Sequence, residues 1–147
     1  MQLAHEMEYK HPTDQQPSIE MVSYSSAYQE QYKTIYNECY HEMRMALGIK
    51  PFDFIQDDSF FETGMVNVYL LLHDEELIGS VALKGEAIDD LIVNRKYQGQ
   101  GYGWQILLWA LSHMNSERIF LHVADWNQRA IRLYQKNGFV ITKTFEI

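Results

Sequence analysis

Gln98-Gly99-Gln100-Gly101-Tyr102-Gly103 stands between an apolar run ending at Val93 and a helical stripe beginning near Tyr102. Glycines at such a junction let the backbone adopt positive φ and approach a ligand closely. The following helix presents unpaired N–H groups and the positive end of its dipole, which together hold a phosphate or pyrophosphate without a lysine. Any strand-to-helix turn can use glycine, so the hexamer alone leaves a purely structural role equally open. Two rival phosphate loops fail on spacing. A Walker loop needs Lys and a hydroxyl residue after its last glycine, where this chain has Trp104. A Rossmann site needs G-x-G-x-x-G, which Gly99, Gly101 and Gly103 do not form.

Working outward, Ala87 to Val93 reads as the strand feeding the turn, and Val66 to His73 with Leu77 to Lys84 reads as a hairpin around Asp74-Glu75-Glu76. Farther upstream, Ile19 to Tyr24 suggests a strand, and Ser25-Ser26 with Gln29 suggests a capping box. A helix is expected over Ala27 to Leu47, with Tyr28, Tyr32, Ile35, Cys39 and Met43 on one face and Gly48 as its C-terminal cap. Pro51 to Gly64 is an aromatic and acidic connector of weak periodicity. Downstream of the turn, Ile106, Leu107, Ala110, Leu111 and Met114 mark a helix, and Ile119 to Ala124 a strand. Asn127 then reads as an N-cap, Ala130 and Ile131 as a packed face, Asn137-Gly138 as a helix exit, and Phe139 to Phe145 as a last strand. Read from its surroundings alone, Tyr134 is a core or boundary aromatic.

The glycine hexamer resembles the acetyl-CoA signature of the GNAT superfamily of N-acetyltransferases, Q/R-x-x-G-x-G/A after a strand, with Gln98, Gly101 and Gly103 at its defined positions. Asn127, Ala130, Tyr134, Gly138 and Phe139 are similar to the family's second signature, N-x-x-A-x-x-x-Y-x-x-x-G-F. The resemblance implies an α/β (α+β) GNAT fold, a mixed central β-sheet flanked by helices, with residues 1–147 forming one acetyltransferase domain. It implies acetyl-CoA as cosubstrate, its pantetheine arm on the backbone of Leu91, Ile92 and Val93. The pyrophosphate would lie on the amides of Gln98, Gly99, Gln100, Gly101, Tyr102 and Gly103, with Asn127 beside the arm. The implied activity is acetyl transfer to a primary amine by direct attack in a ternary complex, Tyr134 serving as general acid to the departing thiolate. The alternative is a non-catalytic acyl-CoA-binding regulatory module. For the general base the resemblance points to His122 first and Asp89 second, ahead of Glu86: His122 stands where some members carry a catalytic glutamate, the carboxylates stand at the strand feeding the glycine turn, another place for the family's base, and many members use only a water chain. Tyr36, Tyr40, Glu38, Glu42, Phe52 and Phe54 are candidates for acceptor recognition; residue by residue, core packing for the tyrosines and a solvated face for the carboxylates is the equally open reading.

Composition supports a small-molecule reading. The 12 Lys and Arg against 20 Asp and Glu give a net charge of −8, unlike a nucleic-acid binder. The same acidity favours cationic ligands such as amines, and is also an ordinary means to solubility. Cys39 is the sole cysteine, so neither an intrachain disulfide nor a zinc site of several thiolates is available, and a cytoplasmic, metal-free protein is expected. The polar start of the chain does not read as a signal peptide, and no apolar run reaches the ~20 residues of a membrane helix.

The resemblance departs at the C-terminus. Family members usually run through two strands after the G-F pair, whereas eight residues follow Phe139 here, so the last strand is expected to be missing. Leu3, His5, Met7 and Tyr9 alternate with Gln2, Ala4, Glu6 and Glu8. Gln2 to Tyr9 is therefore expected to replace the lost strand, within the chain or across a homodimer; otherwise residues 1–17 form a mobile arm.

Overall fold

A computed structural model describes residues 2–62 and 65–147. The last two residues of the expected connector, Thr63 and Gly64, lie outside that range. Seven strands form one mixed sheet: β1 (Leu3–Tyr9), β2 (Val22–Ser23), β3 (Val68–His73), β4 (Glu76–Lys84), β5 (Ala87–Val93), β6 (Phe120–Ala124) and β7 (Phe139–Glu146). Three helices flank it: α1 (Gln29–Leu47), α2 (Tyr102–His113) and α3 (Gln128–Lys136). The spatial order is β2-β3-β4-β5-β6-β1-β7. Among the described residues no helix is long and apolar enough to cross a membrane.

Each sheet face carries its own core. On one face Ile106, Leu107 and Ala110 of α2 and Ile131 of α3 meet Ile78, Val81, Ile88, Leu121 and Phe139. On the other, Tyr32, Ile35 and Tyr36 of α1 cover Leu70, Ala82 and Ile92. Gly79 permits the α2 contact, since a Cβ there would come within 2.6 Å of Ile106 Cδ1 and 2.8 Å of the Ile92 carbonyl. Gly48 caps α1 at φ 68, as expected. The capping box is corrected: Ser25 Oγ accepts from Ala27 N–H and caps a short 3-10 turn, Ser26–Tyr28, ahead of α1. The strand expected over Ile19 to Tyr24 shrinks to Val22–Ser23, which lie opposite Leu70 and Tyr69 of β3, with Tyr24 N–H adding a bond to Val68 O at 2.9 Å.

The N-terminal strand closes the gap that the short C-terminus would otherwise leave. β1 runs antiparallel to both neighbours, with Met7 opposite Leu121 on β6 and Ile141 on β7. The replacement is thus made within the chain, and the β6 edge that would have been open beside the cleft is occupied. Leu3–Tyr9 is a strand of the sheet rather than an arm.

Candidate active site

β5 and β6 run parallel and form a ladder pair only at Ala87 and Phe120, reinforced by Phe120 N–H donating to Glu86 O at 3.0 Å. Beyond that pair the strands part toward their C-terminal ends. Neighbouring parallel strands normally exchange evenly spaced bonds along their length. The parting leaves the β6-facing edge of Leu91, Ile92 and Val93 without a ladder partner among the described residues, so an extended ligand arm can bind there as a strand would. The glycine turn hangs from the tip of β5 and Asn127 from the tip of β6.

At the β5 tip, the Asn94 side chain caps a 3-10 turn over Arg95–Tyr97, and Gln98 Nε2 donates back to the Val93 carbonyl at 3.0 Å. Gly101, at φ 89, is the N-cap of α2 and offers no side chain to its amides. Gln105 N–H bonds Gly101 O at 3.1 Å, so the amides ahead of it in the first turn have no partner within the helix. Gln98, Gly99, Gln100 and Gly101 are exposed, and Tyr102 and Gly103 half-buried. A Cβ on Gly99 would stand 3.9 Å from Arg129 Nη2, which brings an exposed guanidinium from α3 over the turn. Arg129 lies two residues after Asn127, at a position the second motif leaves undefined.

At the β6 tip, Asn127 Oδ1 accepts from Ala130 N–H at 3.2 Å and caps α3. Tyr134 lies partly buried one turn farther on, its ring 5.8 Å from that of Phe139. Burial pushes its phenol up to about 12, so the group keeps its proton at neutral pH.

The acid–base residues separate. His122 points to the sheet face opposite Leu121 and Val123, with its side chain 54% exposed, and pairs with Glu6 through Nε2 at 3.0 Å. Asp89 meets Lys84 Nζ at 3.0 Å, and its side chain is 43% exposed. Glu86 lies near the Arg118 guanidinium, 3.8 Å away. Asp90, the residue after Asp89, turns inward instead. It sits at φ 46 beside the register shift between β4 and β5, and its Oδ1 accepts from Tyr40 Oη at 3.0 Å and Tyr36 Oη at 3.3 Å. Burial first, and then the charge of Asp89, raise its pKa above the ordinary carboxylate value, despite the opposing tyrosine bonds. Tyr40 is itself pushed far up by burial, then by Asp90, with a smaller contribution from Tyr134.

An aromatic wall extends from these tyrosines. The Tyr36 ring is 4.8 Å from Tyr40, 6.1 Å from Phe54 and 5.6 Å from Phe60. Asn37 holds the connector against α1, donating to Ile55 O at 2.8 Å and accepting from its N–H at 2.9 Å. Of the other expected acceptor residues, Glu38 and Glu42 are exposed on α1, while Phe52 packs on His41.

The acetyltransferase (GNAT) family model matches residues 24–139. A spermine/spermidine N(1)-acetyltransferase of Bacillus subtilis is 36% identical over 56 residues, which cover 35% of this chain and 37% of that protein. Among solved structures, apo-form YjaB from Escherichia coli superposes with a TM-score of 0.64 at 18% identity, over 82% of this chain and 81% of its own. YycN from Bacillus subtilis does so with a TM-score of 0.64 at 22% identity, over 88% and 97%. A GNAT-family protein from Novosphingobium aromaticivorans gives a TM-score of 0.59 at 16% identity, over 97% of this chain and 61% of that one. At these identities the structures share the fold.

Proposed function

The chain belongs to the GNAT acetyltransferase family, and from that premise we propose that it transfers an acetyl group from acetyl-CoA to a primary amine in a ternary complex. The observation that carries this reading is Asp90, held by Tyr36 and Tyr40 beside the parting of β5 and β6. A free amine is mostly an ammonium at neutral pH and must lose a proton before it can attack a thioester. A buried carboxylate with a raised pKa attracts the ammonium, and its affinity for the proton is better matched to the task than that of an ordinary aspartate. Tyr36 and Tyr40, whose hydroxyls hold Asp90, line the place where that cation would sit.

In this reading acetyl-CoA lies along Leu91, Ile92 and Val93, and its pyrophosphate lies on the amides of Gln98 to Gly103, with Arg129 above them. Backbone N–H groups at the end of β5 stabilise the charge that develops on the thioester oxygen. Asp90 takes the ammonium proton, the amine nitrogen bonds the acetyl carbon, and the carbon–sulfur bond breaks. Tyr134 then protonates the thiolate, and the second proton, shed by the nitrogen as it becomes an amide, returns to the Tyr134 phenolate. Asp90 replaces His122 and Asp89 as the proposed base because both of those are paired with other side chains at the surface. Residues 1–147 are read as one catalytic domain.

The decisive experiment measures CoA release across a panel of amines, together with calorimetry of acetyl-CoA binding. The spermine/spermidine enzyme among the relatives and the net charge of −8 make polyamines the first acceptors to test. Binding of acetyl-CoA with no turnover on any amine would make the protein a binding module, and no binding would end the reading.

A further inference from the structure

β1 reaches the cofactor side of the cleft through one buried side chain. His5 is 7% exposed; its Nε2 lies 2.7 Å from Asp125 Oδ1 and its Nδ1 2.8 Å from Thr144 Oγ1. A carboxylate can only accept, so Nε2 carries the proton and donates to Asp125. The ring is thereby fixed at two points, one on the segment after β6 and one on β7. Asp125 is held by β1 a second time, its N–H donating to Leu3 O at 2.8 Å. From Asp125 the contacts lead directly to the start of α3. Gln128 Nε2 donates to Asp125 O at 2.6 Å, and Asn127, between them in the chain, caps α3. A strand interior has no need of imidazole, since an apolar β-branched residue packs there without polar atoms to satisfy.

We propose that His5 is a positioning residue for cofactor binding: by holding Asp125, it fixes the Asp125–Asn127 turn so that Asn127 faces the acetyl-CoA arm. The inference rests on the acetyl-CoA reading given above. It makes the N-terminal strand part of the cofactor site although none of its residues touches the ligand.

The test compares His5→Gln, Asp125→Ala and the double variant by calorimetry with acetyl-CoA, steady-state kinetics and thermal melting. Each single variant should raise Kd and KM for acetyl-CoA about 10-fold, with kcat and the acceptor KM changed less than about 2-fold, as expected when a binding group is misplaced. The double should be no worse than the more damaging single, since both remove the same bond. Asp125 is half-exposed, so Asp125→Ala reads the link without emptying the core, and it carries the test alone if His5→Gln does not fold. A lowered melting midpoint with unchanged Kd, or additive losses in the double, overturns the proposal. Failure of the wild-type protein to bind acetyl-CoA overturns instead the reading on which it rests.

Discussion

Tyr40 on α1 donates to Asp90 on β5 at 3.0 Å, so this carboxylate is held by the helix that packs on its strand. Asp89, one residue earlier, meets Lys84 at the surface instead. Asp90→Asn should therefore lower kcat by about 100-fold or more, and Asp89→Asn by less than about 3-fold. Parallel kinetic runs with saturating acetyl-CoA check the contrast, and equal losses would remove Asp90 from the base role.

The raised pKa of Asp90 sets two pH effects. As a base it must be ionised, so kcat/KM should fall on acidification at a pH above the ordinary aspartate range. For stability the sign is opposite. The folded protein keeps this proton where the unfolded chain has lost it, so the contribution of Asp90 declines as pH rises from 3.8 through its folded pKa, and the cost persists above that value. Asp90→Asn should melt higher than wild type at pH 7 while being inactive; a lower midpoint would contradict the burial argument.

Tyr134 keeps its proton at neutral pH, as a donor to a leaving thiolate must. Tyr134→Phe should reduce kcat by roughly 100-fold and leave the Kd of acetyl-CoA within about 2-fold. Unchanged turnover would assign the ring to packing on Phe139.

Arg129 over Gly99 should act on the phosphate end of the cofactor. Arg129→Ala is expected to weaken acetyl-CoA binding about 10-fold, the loss of one charge-assisted contact. Acetyl-pantetheine, which has no phosphates, should be used equally by wild type and variant. A matching loss with that truncated donor would show that Arg129 does not act through phosphate.

Gly138 tests the fold. Its φ is 97, and a Cβ there would collide with the His11 carbonyl, which belongs to the segment just after β1. Lys10 and His11 N–H groups both donate to Gly138 O, at 2.9 and 3.0 Å. Gly138→Ala should cost about 2 kcal/mol or more in a urea titration.

The glycine turn, β5 and the Asn127 cap were legible because periodicity, glycine placement and capping chemistry agreed there. Asp90 was not, because strict alternation puts it on the same face as Ile88, under α2, whereas it meets Tyr36 and Tyr40 of α1 on the other face. The register shift and the left-handed backbone at Asp90 are set by pairing with β4, which one strand read alone does not reveal. The outward direction of His122 is implicit in its apolar neighbours Leu121 and Val123, which alternation turns to the core. The alternation from Gln2 to Tyr9 announced a strand, whereas its seat between β6 and β7 depends on contacts more than a hundred residues away.

That seat has a consequence for synthesis. β1 is synthesised more than a hundred residues ahead of its partners Leu121 and Ile141. Until they emerge, β1 has both edges unsatisfied and Met7 uncovered, a state open to capture by other nascent strands. Sheet completion is therefore a late, non-local event, and slow refolding follows from contacts of such long sequence separation.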